Sequence, residues 1–196
     1  MRIILVSTSP RRQQLLNGVG LNFTTMAANI DETWQDNECA QAYIVRMVKT
    51  KAKKACQEIN DKALVITADT IGVLDDGQVL TKPKDRGDAF AMWDKLSDST
   101  HEVWTAVCAS VVDAGEIICQ EWIVCRTQIS FVELTDEMKQ RYWDTGEPID
   151  KAGAYAIQGG AMAWVRTMNG SYTNVVGLPV AQTLELIERI CGRLVN

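Results

Sequence analysis

Arg2-Ile3-Ile4-Leu5-Val6-Ser7-Thr8-Ser9-Pro10-Arg11-Arg12-Gln13-Gln14-Leu15-Leu16 carries two patterns in one stretch. Residues 2–6 form a short apolar run, the mark of a buried strand. From Pro10 onward the spacing is helical. Ser9 suits an N-cap and Pro10 the first helical position. A strand therefore runs straight into a helix N-terminus through a hydroxyl-rich turn. The first N–H groups of a helix lack internal partners and carry partial positive charge. Arg11 and Arg12 in that first turn oppose the usual dipole preference, and a bound phosphate would resolve the conflict. An ordinary capped helix with two solvated arginines is the other reading, since no Walker-type glycine loop is present.

The 196 residues fit one domain spanning the chain, with a substantial core. An apolar fraction of 46% and a charged fraction of 23% are ordinary globular values. A net charge of −5 and a pI near 5.0 argue against a general nucleic-acid or membrane-surface binder. They leave room for a small anionic ligand held by local cations. Six cysteines without a CxxC pair, and a single histidine, His101, argue against a Cys/His zinc site. They point to reduced thiols in a cytoplasmic setting. The N-terminal apolar run is too short for a signal peptide, and no stretch is long enough to span a bilayer.

Outward from the opening stretch, Asn22 to Ile30 reads as a second strand and Cys39 to Glu58 as an amphipathic helix. Lys51 lies close to that helix's apolar stripe. It either points into a groove or snorkels along a packed face. Leu64 to Ala68 reads as a central strand, followed by Asp69, Thr70 and then Ile71 to Leu74. A carboxylate within an apolar strand pattern is costly unless paired, hydrogen-bonded or on a metal, so Asp69 is the sharpest anomaly in the chain. Asp75-Asp76-Gly77 signals a hairpin that returns the chain to Lys82-Pro83. Asp88 to Leu96 reads as a helix. His101 to Val112 and Ile117 to Val132 read as long antiparallel strands, with His101 a structural hydrogen-bonder. Thr135 caps a further helix. A glycine-rich segment, 146–160, precedes a hairpin expected about Asn169-Gly170, with arms 164–168 and 171–176. A last amphipathic helix carries Leu184, Ile187, Ile190 and Leu194.

Ser7, Ser9, Arg11, Arg12, Glu32, Lys51, Asp69 and Lys82 form a set. Cations for a polyphosphate and carboxylates for a divalent metal are what phosphoanhydride chemistry needs. The order of these residues, with Ser7-Thr8-Ser9-Pro10-Arg11-Arg12, Asp31-Glu32, Tyr43 to Arg46, Lys51-Ala52, Ala68-Asp69-Thr70 and Leu80-Thr81-Lys82-Pro83, closely resembles the Maf-like (septum-formation inhibitor) family. The match continues through Leu96-Ser97, His101, Thr105, Gly146-Glu147-Pro148, Asp150 to Gly153, Tyr155, Ile157-Gln158-Gly159, Gly170-Ser171-Tyr172 and Val175 to Pro179.

The resemblance implies an α/β fold like that of inosine triphosphate pyrophosphatases: a mixed, bent sheet with flanking helices and a central cleft. It implies a homodimer, a Mg²⁺ or Mn²⁺ requirement, and cleavage of a nucleoside triphosphate to the monophosphate and pyrophosphate. By the same analogy Asp69 matches the family's proton acceptor, and Glu32 and Asp69 hold the metal. Asp69, Lys82 and Glu32 are then the catalytic residues. Ser7, Ser9, Arg11, Arg12, Lys51, Thr70 and Gln158 are then the substrate-binding ones. Thr70, Arg12 and Gln158 resemble the dTTP/UTP branch. Two positions depart from the family pattern: Asp98 stands where glycine is common, and Met162 stands among residues that are usually small. The alternative is a nucleotide-dependent binding protein that inhibits septum formation through a division partner.

Overall fold

The structure, a computed structural model, describes residues 1–193. It is a mixed α/β fold with a seven-stranded sheet and flanking helices. The chain packs as two compact units. One comprises Met1–Asp69, Thr105–Cys125 and the chain from Gly177 onward; the other comprises Thr70–Trp104 and Arg126–Val176.

In the first unit, β1 (Arg2–Val6) pairs in parallel with both β2 (Thr24–Met26) and β3 (Ala63–Leu74). Strand period two sorts the side chains onto two faces. Leu5, Leu64 and Ile66 pack with Leu16 of α1 (Pro10–Gly18) and with Leu186 and Ile190 of α6 (Val180–Gly192). Ile4, Val6 and Val65 pack with Ala55 and Cys56 of α2 (Ala40–Cys56). Helices on both faces explain why β1 and β3 read as continuous apolar runs rather than alternating ones. Leu194, counted in the last helix's stripe, lies outside the described residues.

In the second unit, β3 continues past Asp69 and turns back through β4 (Val79–Leu80). α3 (Arg86–Leu96) follows, then β5 (Thr100–Asp113) and β6 (Glu116–Phe131), which supply residues to both units. α4 (Asp136–Trp143) begins at Thr135, whose Oγ1 accepts from Met138 N at 3.3 Å as expected of a cap. The unit's core is aromatic. Trp93, Phe131, Tyr142, Tyr155 and Trp164 meet mostly edge to face, the geometry that ring quadrupoles favour.

Three local expectations are corrected. The second strand is only three residues long, because Ala27 to Cys39 forms no regular element. Ser9 occupies the N-cap position, but its hydroxyl caps nothing; Ser7 Oγ accepts from Ser9 N at 3.2 Å instead. The hairpin about Asn169-Gly170 does not form. β7 (Val165–Asn169) pairs with β6, while Tyr172–Val176 coils into the short helix α5. The cause is a buried network: Asn174 Nδ2 donates to Val103 O and to Thr127 Oγ1, and Ser171 Oγ accepts from Asn174 N. These side-chain bonds outweigh the turn signal.

Asp98 adopts a left-handed backbone, φ 47°, where glycine is the easiest occupant. A short polar side chain tolerates that region, and Arg166 Nη2 holds the Asp98 carboxylate at 2.7 Å.

Candidate active site

Parallel pairing between β1 and β3 ends at Val6 opposite Thr67. Asp69 lies two residues beyond that last pair. It sits at the carboxyl end of the parallel strands, where the Ser7–Arg12 segment leaves β1. Open α/β sheets bind ligands at this end. The Thr67 hydroxyl, buried, donates to Val48 O at 2.8 Å and pins α2 against β3. Three residues further along α2 and two further along β3, Lys51 Nζ meets Asp69 Oδ1 at 2.8 Å. The same ammonium meets Glu32 Oε1 at 3.0 Å. Lys51 and Asp69 expose only 12% and 17% of their side chains, against 53% for Glu32. Between the two sequence readings of Lys51 the structure selects the groove. Its ammonium bridges two carboxylates.

Arg12 flanks this triad. Its Nε donates to Gly177 O at 2.8 Å, and its Nη1 lies 3.4 Å from Ser7 Oγ. Gly177 has φ +122°, a conformation that L side chains rarely adopt, so the loop before α6 needs glycine to turn its carbonyl to the arginine. Burial holds the Arg12 guanidinium below its ordinary pKa. Asp69 pulls upward, Arg11 pushes down and Glu32 pulls upward more weakly. Arg11, Arg12, Glu32 and Asp69 thus share one electrostatic neighbourhood. Burial also pushes the Tyr43 phenol up to about 12, with Asp69 and Glu32 adding to the effect. It stays protonated, and it donates to Glu32 O at 3.2 Å.

A hard divalent ion needs one or two carboxylates, and completes its shell with water and phosphate oxygens. Glu32 and Asp69 already converge on a common cation, the Lys51 ammonium, so the donor set fits Mg²⁺ or Mn²⁺. Among the described residues no closed cage of three or more His, Cys, Asp or Glu forms.

Thr70, Lys82 and Gln158 belong to the second unit. Thr70 is half-buried on β3. Lys82 is exposed just after β4, in a segment anchored by Gly153 N donating to Thr81 O at 2.9 Å. Gln158 is exposed between two short 3-10 helices, Ala152–Ala154 and Gly160–Trp164. Direct contacts therefore gather Ser7 with Arg12, and Lys51 with Glu32 and Asp69.

Sequence reasoning missed several residues that set this geometry. Thr67, inside an apolar run, carried a signal: a hydroxyl there needs a partner. Glu147 stood in the Gly146-Glu147-Pro148 motif, which assigned it no partner. Its carboxylate accepts from Gly160 N at 3.1 Å and fills the space where a Gly159 Cβ would stand. This accounts for both the glutamate and the glycine.

The chain is similar to known proteins over nearly its whole length. The family model described as Maf-like protein matches residues 2–190. A dTTP/UTP pyrophosphatase of Psychrobacter cryohalolentis is 48% identical, over 97% of this chain and 97% of its own. The protein of that name from Escherichia coli O157:H7 is 44% identical, over 94% of this chain and 91% of its own. The one from Acinetobacter baylyi is 40% identical, over 95% and 98%. A solved nucleoside-triphosphatase / dITP/XTP pyrophosphatase of Mycobacterium abscessus covers 67% of this chain and 74% of its own. It does so at 11% identity and a TM-score of 0.44.

Proposed function

The chain belongs to the Maf-like protein family, and we propose that it is a nucleoside triphosphate pyrophosphatase. It takes dTTP and UTP, together with modified pyrimidine nucleotides, to the monophosphate and pyrophosphate. The observation that carries the reading is the Lys51 ammonium clasped between Asp69 and Glu32, with Arg12 anchored beside it. A pure nucleotide binder acting on septum formation has no use for an acid held beside a phosphate site. The relatives' names also favour hydrolysis.

Ser7, Ser9, Arg11, Arg12, Lys51 and Lys82 grip the phosphates. Glu32 and Asp69 would hold Mg²⁺ or Mn²⁺, which when bound neutralises phosphate charge. Asp69 accepts a proton from the water that attacks the α-phosphorus. As the new P–O bond forms, the bond to the α,β-bridging oxygen breaks. Its electron pair leaves with pyrophosphate, whose developing charge Lys82 offsets. Arg12, Thr70 and Gln158 present donors and acceptors to the pyrimidine edge.

Family resemblance supports a homodimer. All six cysteines are free, which is in keeping with a reducing, cytoplasmic setting.

The test is a panel of canonical and modified nucleoside triphosphates with Mg²⁺ or Mn²⁺, read out as pyrophosphate. dTTP and UTP should be the best canonical substrates. Equal rates on ATP and UTP would contradict the base assignment. EDTA should abolish turnover and added Mg²⁺ or Mn²⁺ restore it; full activity in excess chelator would remove the metal.

A further inference from the structure

Glu32 lies in a segment without regular structure, Ala27 to Cys39, and its side chain is half-exposed. Such a residue has no helix or strand to fix it, yet its carboxylate is met at 3.0 Å by Lys51. The order comes from α2. Tyr43 Oη donates to Glu32 O at 3.2 Å, and Arg46 Nη2 donates to the next carbonyl, Thr33 O, at 3.0 Å. The Arg46 guanidinium also grips both oxygens of Glu38, at 2.6 and 2.5 Å, at the far end of the segment. Trp34 stacks on Tyr43 with ring centroids 4.2 Å apart and planes 17° apart, while its Nε1 donates to Glu38 O at 2.9 Å. Two helical side chains, one turn apart, thus bind the segment at 32, 33, 34 and 38.

We infer that Tyr43 and Arg46 are positioning residues that hold Glu32 in place for the divalent cation, with Trp34 and Glu38 completing the latch. The inference rests on the proposed function, because it takes Glu32 to be a metal-binding carboxylate. The reasoning is physical. A carboxylate on an unsupported loop samples many positions, and ordering it on binding costs conformational entropy. Hydrogen bonds to the carbonyls of residues 32 and 33 fix the backbone from which the Glu32 side chain springs. Residues outside a metal's ligand shell that orient the ligands are typically worth 10–100-fold in metal affinity or activity. The arginine is specific here. A lysine keeps the charge but cannot hold a carboxylate with two parallel bonds and a carbonyl as well.

The experiment uses the full chain and compares Tyr43→Phe, Arg46→Lys, Glu32→Gln and the double variant Tyr43→Phe/Glu32→Gln. Tyr43→Phe keeps the stack and removes only the hydroxyl. Mn²⁺ binding to nucleotide-free protein is read by water-proton relaxation, and kcat and KM for dTTP and the melting temperature are read on the same preparations. Tyr43→Phe and Arg46→Lys should each weaken Mn²⁺ binding about tenfold. In the Glu32→Gln background, Tyr43→Phe should cost almost nothing further, because no carboxylate remains to be positioned. If Tyr43→Phe costs as much in that background as in the parent, the latch does not act through Glu32 and the inference fails. If Glu32→Gln weakens Mn²⁺ but neither Tyr43→Phe nor Arg46→Lys does, the latch alone fails and the proposed function stands. Parental Mn²⁺ affinity in Glu32→Gln would overturn both.

Discussion

Lys51 in the first unit and His101 in the second each hold an oxygen within 2.8 Å, Asp69 Oδ1 and Tyr155 Oη respectively. The two pairs differ in every other respect. Lys51, Glu32 and Asp69 form an ionic group open to solvent through Glu32. His101 is wholly buried and neutral, edge-on to Phe131 and Tyr155. Burial pushes its pKa down to about 4 and raises that of Tyr155. Its Nδ1 has no hydrogen-bond partner among the described residues. A charge is kept where water and an anionic ligand can reach it. A polar group deep in an aromatic core is kept neutral. The first arrangement suits chemistry and the second suits folding.

The strongest way to break this contrast is Asp69→Asn, which keeps shape but removes the charge and the proton-accepting oxygen. Single-turnover hydrolysis of dTTP should fall about 10²–10⁴-fold. Nucleotide affinity should suffer less, because the cations proposed to grip the phosphates remain. A folded variant within a few-fold of the parent rate would remove Asp69 from the mechanism.

His101 should behave in the opposite way, affecting stability and not rate. The unfolded histidine takes a proton near pH 6.5, the folded one only near 4. The unfolded state therefore binds the proton first as pH falls. The contribution is fully present above about pH 6.5 and is lost progressively between 6.5 and 4, to about 3 kcal/mol. Denaturant unfolding of His101→Gln across that range should show a correspondingly shallower loss than the parent. Parallel curves would contradict the buried, neutral assignment.

Gln158→Ala sharpens the question of base choice. Losing one hydrogen-bond partner in a buried complex costs about 1–3 kcal/mol, so the advantage of dTTP over purine nucleotides should shrink by that amount in kcat/KM. An unchanged ratio would take Gln158 out of base selection. The smallest effect is expected from Asp98→Gly. It relieves the left-handed strain but loses an ion pair whose side chains are 62% and 51% exposed, and such pairs contribute little. The two should nearly cancel, leaving the unfolding free energy within about 0.5 kcal/mol of the parent.

Much of the fold was legible because its signals are local. The strand-to-helix change at Ser7–Pro10 and the spacing of α2 each declare themselves within a dozen residues. What was hidden depends on distant partners. The extended arm expected at 171–176 is instead a helix because Val103 and Thr127 supply hydrogen bonds to Asn174. Lys51 had two readings until β3 brought Asp69 opposite it. The candidate residues came from anomalies, such as an acid in a strand and arginines at a helix start. Tyr43, Arg46 and Glu147 stand within the motifs quoted above, but their partners lie in other segments. Spacing alone does not show which partners they take.

The proposed mechanism delivers water to the α-phosphorus. Hydrolysis of dTTP in ¹⁸O-enriched water decides this directly. The label should appear in dTMP, with unlabelled pyrophosphate as the other product. Label in pyrophosphate would place the attack at the β-phosphorus, and release of labelled inorganic phosphate with dTDP would place it at the γ-phosphorus; either result would contradict the mechanism.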